Sequence, residues 1–90
     1  MEYVYVLQSE QDKKFYVGLT NNLRKRFSEH NAGLVFSTRK RVPLTLVYYE
    51  ACVHRSDARK REVYLKTAWG KRYIKNRLRN YLFNIISRGK

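Results

Sequence analysis

Arg26 and His30 occupy the inward-facing side of a predicted amphipathic helix. A helix advances about 100° per residue, which places Leu23, Phe27 and Leu34 on one apolar stripe. His30 projects into the middle of that stripe, and Arg26, one turn earlier, lies at its edge. An imidazole can transfer protons, although a histidine in such a position can also be an ordinary hydrogen-bonded core residue. An inward-leaning arginine one turn away favours chemistry, because a buried cation needs an anionic partner.

A second predicted helix carries a carboxylate on its apolar side. Ala58, Leu65 and Trp69 form the stripe, and Glu62 lies centrally among them. An inward carboxylate is costly unless it is paired or coordinates a metal. Two interpretations follow: a salt bridge between Glu62 and Arg26, or a ligand for Mg²⁺, which prefers carboxylate oxygen. A single carboxylate suits an ion that water and phosphate oxygens also hold.

Three tyrosines and a glycine lie in the first two predicted strands. Alternation along the first strand places Tyr3 and Tyr5 on one face, and Tyr16 can lie beside them across a hairpin. Gly18, expected just after the second strand, removes a side chain where the backbone of a ligand could approach. We call Arg26, His30 and Glu62 the inward polar set. The order and spacing of this set with the tyrosines and the glycine indicate a function more specifically than any one residue does.

The elements that must position these residues follow from periodicity and turn signals. The pattern predicts strands over 3–8, 14–18 and 43–51, and helices that run from Thr20 or Asn21 to about Ala32, over 56–68 and over about 71–87. The order strand, strand, helix, strand, helix, helix predicts an α/β (α+β) fold, a small three-stranded, mostly antiparallel β-sheet flanked by helices. We expect residues 1–90 to form one domain.

The charge of the chain favours a polyanionic partner. Twenty Lys and Arg against seven Asp and Glu give a net charge of +13, and no acidic residue follows Glu62. Aromatic residues interleave with the cations, which favours nucleic acid over anionic lipid. We expect DNA, with RNA as the alternative. With Gly18, the predicted nucleic-acid contacts are Arg24, Arg39, Lys40, Arg41, Lys71, Arg72, Lys75 and Arg79.

Several protein classes are excluded by composition. No apolar run approaches the ~20 residues that a membrane-spanning helix needs, and the N-terminus lacks the features of a signal peptide. A single cysteine, Cys52, excludes an intrachain disulfide and a cysteine-based zinc cluster. We expect a cytoplasmic protein without a membrane partner.

The tyrosines, the glycine and the inward polar set together resemble the GIY-YIG nuclease family. Its two signatures correspond to Tyr3-Val4-Tyr5 and Tyr16-Val17-Gly18, and its arginine, histidine and metal-binding glutamate to Arg26, His30 and Glu62. The resemblance covers residues 3 to about 68, and the basic helix after them is similar to the end of small stand-alone members. There are two departures: Tyr3 replaces the first glycine, as in other small members, and Leu19 stands where some repair-associated members carry a lysine.

The resemblance implies an endonuclease that depends on Mg²⁺ or Mn²⁺ and hydrolyses phosphodiester bonds in DNA, with branched, flapped or damaged DNA and a role in DNA repair as the expectation. Tyr5 and Tyr16 would flank the scissile phosphate, and one of them would be the base. Arg26 would stabilise phosphoryl charge, His30 would transfer a proton or donate a hydrogen bond, and Glu62 would hold the ion. Beside these cationic groups the pKa of the tyrosine base should fall, whereas Tyr3 would serve packing.

Two other functions stay open. The chain could be a non-catalytic DNA- or RNA-binding module on the same scaffold, or a small basic protein that binds structured RNA or the ribosome. The inward orientation of Arg26, His30 and Glu62 favours the nuclease. The last helix carries a predicted stripe and an unusually apolar end, which either packs on the sheet or contacts a partner protein or a second copy in a homodimer. These residues are Ile74, Leu78, Tyr81, Leu82, Phe83, Ile85 and Ile86.

Overall fold

An antiparallel three-stranded sheet lies at the centre of the computed structural model, which describes residues 1–88 and their side chains as far as Asn84. The strand order is β2-β1-β3, and β1 pairs antiparallel with both neighbours. The predicted α+β fold and its element order are therefore confirmed. The elements are β1 (Glu2–Ser9), β2 (Phe15–Thr20), α1 (Leu23–Asn31), β3 (Leu44–Cys52), α2 (Arg55–Leu65), α3 (Ala68–Arg77) and α4 (Arg79–Arg88).

The central strand β1 sends alternate side chains to opposite faces of the sheet. Val4 and Val6 pack against α2 and α3 in an apolar cluster, and Tyr5 and Leu7 lie in a second cluster with residues of α1. This is the alternation that a strand dictates when helices cover both of its faces. The apolar cluster is completed by Val17, Ala58, Leu65 and Ile74. The second cluster is completed by Leu44 and by the half-buried Tyr16, Leu23, Phe27, Val42 and Leu46.

The first helix ends about where predicted, but Leu34 was wrongly placed in its inward stripe, and the predicted end of the second helix is wrong. Helix α1 ends at Asn31, and the chain then turns at Gly33, whose φ is 76°. Leu34 therefore lies outside the helix and is exposed. Helix α2 begins at Arg55 and is capped by His54, whose Nδ1 accepts a hydrogen bond from the Ser56 N–H at 3.1 Å. It ends at Leu65, so the apolar stripe predicted over α2 does not extend further.

A threonine cap starts helix α3 earlier than predicted. The Thr67 hydroxyl accepts a hydrogen bond from the Gly70 N–H at 3.1 Å. Trp69 consequently belongs to α3 and is exposed, so its place in the predicted inward stripe is wrong. Gly70 allows close helix contact, since a Cβ there would lie 2.1 Å from the Tyr64 carbonyl oxygen. Gly70, which falls between the two predicted helices, thus lets α3 approach α2.

The C-terminal segment forms two helices where one was predicted over 71–87. The break falls at Leu78, whose φ of −105° and ψ of 21° are not helical. Ile74 is buried, and Tyr81 on α4 is half-buried and donates a hydrogen bond to Gln8 Oε1 at 2.7 Å. Phe83 is exposed. The side chains of Ile85 and Ile86, which complete the predicted apolar end, lie outside the described residues.

Polar groups in the interior are hydrogen-bonded. Within the part of the chain that the structure describes, no buried side-chain nitrogen or oxygen lacks a hydrogen-bond partner. Each buried polar side chain is thus spared the cost of an unmade bond, about 1–3 kcal/mol. None of the helices over residues 1–88 combines the length and apolarity needed to cross a bilayer.

Candidate active site

Tyr5 reaches across the edge of the sheet because Gly18 leaves room for its ring. The two residues are paired between β1 and β2. A Cβ on Gly18 would lie 2.3 Å from both the Cζ and the hydroxyl oxygen of Tyr5. The tip of the ring therefore lies over β2, the outer strand. We expected Gly18 to follow β2 and to admit the backbone of a ligand, but it lies inside β2 and the Tyr5 ring fills that space.

A buried hydrogen-bonded chain links Tyr5, His30 and Thr38. The Tyr5 hydroxyl is 2.8 Å from His30 Nε2, and His30 Nδ1 is 2.7 Å from Thr38 Oγ1. Burial, and then the charge of Arg26, lower the pKa of His30 to about 4. At neutral pH the imidazole is therefore neutral and has one donor and one acceptor nitrogen. Two arrangements are therefore possible. Either Tyr5 donates to His30 Nε2 and Nδ1 donates to Thr38, or Thr38 donates to Nδ1 and Nε2 donates to Tyr5.

Tyr16 lies beside this chain, whereas Tyr3 does not. The Tyr16 ring packs edge-on against His30 with a centroid separation of 5.2 Å, and it is tilted against Tyr5 at 6.4 Å. The Ser37 hydroxyl donates a hydrogen bond to the Tyr16 oxygen at 3.3 Å. Tyr3 instead packs edge-on against Tyr49, with centroids 5.9 Å apart. Two of the three tyrosines are thus brought together with His30.

Arg26 faces the Tyr5 phenol from α1 but is only partly buried. Its Nη1 donates to Glu29 Oε1 at 3.2 Å, and the influence of the neighbouring Tyr5 hydroxyl raises the pKa of Arg26. Burial raises the pKa of Tyr5, and the opposing effect of Arg26 is too small to reverse the shift. The fall in pKa that we expected is therefore not found for Tyr5 in the protein itself.

Glu62 is buried on α2, and its charge is felt at Tyr5, whose pKa it helps to raise. Its two carboxylate oxygens accept hydrogen bonds from Arg59, on the same helix, at 2.8 Å and from Lys66, the residue that caps this helix, at 3.1 Å. The salt bridge to Arg26 that was one of our interpretations is absent from the described contacts. The inward orientation of Glu62 stands, but its partners are two exposed cations close to it along the chain.

Glu62 fits a metal ion only if other ligands come from outside the protein. Over the described residues, no group of three or more His, Cys, Asp or Glu side chains is placed to hold an ion. Mg²⁺ commonly keeps several waters and binds one or two carboxylates together with phosphate oxygens. The paired cations Arg59 and Lys66 are exposed and can turn away into solvent. The single buried carboxylate of Glu62 thus fits an ion that a phosphate would share.

Cations line both sides of the outer strand β2. On one side Tyr16 borders a cavity with Lys66 and Lys71. A second cavity that also includes Lys71 is lined by Lys13, Lys14 and Lys75. On the other side, cavities around Leu19 are lined by Lys25, Arg26, Arg55, Arg59 and Lys60. The edge that carries the Tyr5 hydroxyl is thus surrounded by positive charge.

The predicted phosphate-contacting cations fall into different settings. Arg41 is engaged within the protein, because it donates to Asp12 and to the Lys14 carbonyl, each at 3.1 Å. The Arg39 guanidinium stacks on Phe36 at 4.6 Å, and that of Arg72 stacks on Trp69 at 4.9 Å. The remaining predicted cations, Arg24, Lys40, Lys71, Lys75 and Arg79, are exposed.

Sequence reasoning missed Thr38 and Ser37 as parts of this site. From this loop we predicted only the cations Arg39, Lys40 and Arg41 as functional. Thr38 is buried against His30, and Ser37 contacts Tyr16. The available signal was two adjacent hydroxyls shortly after the helix that carries His30. That signal is weak, because hydroxyl residues are common in any loop.

This fold and this site define a known class of protein. A sequence model described as the GIY-YIG catalytic domain matches residues 1–78, and the chain belongs to the GIY-YIG family, a family of nucleases.

Similar proteins come from several bacteria. Over 67 residues the chain is 45% identical to the UPF0213 protein CPE1444 of Clostridium perfringens, covering 73% of this chain and 71% of that protein. It is 42% identical to the UPF0213 protein DP2720 of Desulfotalea psychrophila, over 71% of this chain but only 59% of that longer protein. The solution NMR structure of the UPF0213 protein BH0048 from Bacillus halodurans aligns with a TM-score of 0.53 and 29% identity over 84% of each chain.

Proposed function

We propose that this chain is an endonuclease that depends on Mg²⁺ or Mn²⁺ and hydrolyses phosphodiester bonds in DNA that is branched, flapped or damaged. The observation that carries the proposal is the arrangement around the Tyr5 hydroxyl. It is hydrogen-bonded to a neutral imidazole, it faces the Arg26 guanidinium, and it feels the charge of the buried Glu62. Phosphodiester hydrolysis needs a proton acceptor, a cation for the phosphoryl oxygens and a ligand for a divalent ion.

Tyr5 is the proposed base, because its hydroxyl has a proton acceptor in place. His30 Nε2, 2.8 Å away, can accept the Tyr5 proton while His30 Nδ1–H donates to Thr38. The Tyr5 oxygen is then free to accept a proton from an attacking water. The raised pKa of Tyr5 means that the phenol is neutral at rest, so the transfer to His30 accompanies attack instead of preceding it. A bound phosphate would favour the imidazolium.

Tyr16 and Arg26 are proposed to hold the phosphate. The hydroxyl partner of Tyr16 is Ser37, which cannot store a proton as an imidazole can. Tyr16 is therefore better suited to donate a hydrogen bond to a phosphate oxygen than to act as the base. The Arg26 guanidinium presents several donors and stays charged, which suits the charge that develops on the phosphoryl oxygens. Its partial exposure leaves donors available for a ligand.

Glu62 is proposed to hold the divalent ion, which would neutralise negative charge at the phosphate and at the leaving oxygen when bound. The ion would replace Arg59 and Lys66 as the partner of the carboxylate. The lysines Lys66 and Lys71, which line the cavity next to Tyr16, would contact flanking phosphates.

A second function is favoured by the two contacts of Glu62. Its two oxygens are already paired with Arg59 and Lys66, as in a structural ion pair. This supports a non-catalytic module that binds DNA or RNA on the same scaffold. The two functions differ in what happens to Glu62 when a divalent ion is added.

The deciding experiment is cleavage of labelled duplex, nicked, flapped and four-way-branched DNA with Mg²⁺, with Mn²⁺ and with chelator. Wild type is compared with Glu62→Gln and with Glu10→Gln, a control carboxylate on the β1–β2 turn that pairs with Lys13 and Thr45. The nuclease predicts metal-dependent cutting that Glu62→Gln abolishes and Glu10→Gln keeps. Melting temperature is read in parallel, and the ions should raise it in wild type but not in Glu62→Gln. Binding by all three proteins with cutting by none would establish the non-catalytic module.

A further inference from the structure

Two large apolar side chains point into solvent from the loop that joins α1 to β3, residues 32–43. Leu34 is 74% exposed and Phe36 is 81% exposed, whereas Val35 between them is 7% exposed. The backbone is held by turns, since the Thr38 N–H donates to the Val35 carbonyl at 3.1 Å and the Arg41 N–H to the Thr38 carbonyl at 2.8 Å. The loop is thus anchored through Val35 and Thr38, and its conformation directs Leu34 and Phe36 outward.

The exposed Phe36 lies next to the candidate active site along the chain. Its neighbour Ser37 contacts the Tyr16 hydroxyl at 3.3 Å, and Thr38 contacts His30 at 2.7 Å. Adjacent Cα atoms are about 3.8 Å apart, and successive nucleotides of a strand rise by about 3.4 Å. A phosphate held between Tyr5 and Tyr16 would therefore place the base of the same or the next nucleotide within reach of Phe36.

The chemistry around Phe36 suits a nucleobase better than an apolar protein surface. The Arg39 guanidinium stacks on the ring at 4.6 Å from its centroid, and Lys40 follows it. The loop 32–43 contains no acidic residue. Aromatic rings flanked by cations bind unstacked bases through stacking and bind the adjoining phosphates through charge. A protein partner would have to cover the same cations with acidic groups.

We propose that Phe36, flanked by Leu34, is a stacking platform for an unpaired base next to the scissile phosphate. The substrate class is then DNA with unpaired or unstacked nucleotides at the cleavage site, such as a flap or a branch, and continuous duplex is disfavoured. An apolar side chain stacks on a base most easily where the base is already unstacked, because the free energy of unstacking does not have to be supplied. The inference rests on the proposed function, since it takes the Tyr5–Tyr16 site as the position of the scissile phosphate.

The test is equilibrium binding by fluorescence anisotropy, in chelator so that no strand is cut. The ligands are a labelled duplex and the same duplex with a single-stranded flap. Stacking of one base predicts that wild type prefers the flap by roughly fivefold or more. Phe36→Ala should lose most of this preference and keep its affinity for duplex, and Phe36→Trp should retain the preference. Phe83→Ala is the matched control, because Phe83 is also exposed but lies on α4.

Three results would overturn the platform: no preference in wild type, an equal effect of Phe36→Ala on both ligands, or a preference that survives Phe36→Ala. An equal weakening would indicate a general phosphate-binding role of the loop, and no effect would indicate a contact with another macromolecule. Because nothing is cleaved in this assay, the outcome is separate from that of the nuclease test. If the protein cuts DNA but shows no Phe36-dependent preference for the flap, it is a nuclease without the stacking platform. If it shows the preference but does not cut, it is a flap-binding module.

Discussion

The two faces of the sheet receive side chains from the same strand and use them in opposite ways. On the α2–α3 face, Val4 and Val6 enter a wholly apolar cluster. On the α1 face, Tyr5, which lies between these two valines in the sequence, begins a chain of buried hydrogen bonds through His30 to Thr38. The apolar face gains stability from every buried methylene, about 0.8 kcal/mol each. The polar face holds reactive groups at fixed distances and gains little, because its hydrogen bonds replace bonds to water.

In so small a domain, function is placed on the face whose buried polar groups are paired. A buried polar chain must be completely paired to be tolerated, and Thr38 completes this one from outside the sheet. The apolar face can then carry the stability that the polar face does not provide. Apart from Glu62, which α2 contributes to the candidate site, substitutions on the two faces should accordingly separate into losses of stability and losses of activity.

The largest expected effect is the loss of cleavage in Tyr5→Phe, which removes the hydroxyl and keeps the ring over Gly18. General-base catalysis contributes about 10²–10⁴-fold, and the rate should fall within that range. Stability should also fall, by about 1–3 kcal/mol, because His30 loses a buried partner. Single-turnover rates and chemical denaturation measure the two effects. Tyr3→Phe is the matched control and should cut like wild type; if Tyr5→Phe does so as well, Tyr5 is not the base.

The next effect belongs to the apolar face. Leu65→Ala on α2 should lower the free energy of unfolding by about 2–5 kcal/mol, because Leu65 is fully buried and its truncation leaves a cavity. Cleavage per folded molecule should stay close to that of wild type. Val63→Ala, on the exposed side of the same helix, should change stability by less than about 0.5 kcal/mol. Urea titration followed by rate measurement on folded protein checks both. A Leu65→Ala protein that is fully stable but inactive would contradict the division between the faces.

A smaller effect is the acid sensitivity that His30 gives to the polar face. Its folded pKa is about 4, below the unfolded value of about 6.5. Between these values the unfolded chain binds more protons, so stability is complete above about pH 6.5 and falls as pH is lowered towards 4. The loss amounts to about 3 kcal/mol.

The check on this acid sensitivity is denaturation of wild type and His30→Gln across that window. Glutamine cannot be protonated, and the variant should lack this part of the pH dependence while carboxylates still contribute equally to both proteins. Parallel stability curves for the two proteins would show that His30 is not the group that titrates.

The sequence predicted the fold class and the residues that the site brings together, and it failed where tertiary contacts decide. Periodicity identified Arg26, His30 and Glu62 as polar residues on apolar sides, because a helical face is a local property of the chain. The burial of Thr38 and the exposure of the Phe36 ring depend on tertiary contacts of the loop, and a loop has no repeating sequence pattern from which these contacts could be predicted. The break at Leu78 carries no glycine or proline signal. The salt bridge from Glu62 to Arg26, one of two interpretations, was wrong because Glu62 pairs instead with Arg59 and Lys66, each one helical turn away along the chain.

The smallest expected effect compares the cations at the rims of the two faces. Lys71, on α3, lines the cavity beside Tyr16, whereas Arg41, in the loop over the α1 face, is held by Asp12. If Lys71 contacts a phosphate, Lys71→Gln should reduce the slope of log affinity against log salt by about 0.9. Arg41→Gln should leave the slope unchanged, because its charge is already paired within the protein. Salt titrations of DNA binding measure the slopes. If Arg41→Gln changes this slope more than Lys71→Gln does, the DNA phosphates contact the loop that carries Arg41, and the DNA lies on the α1 face.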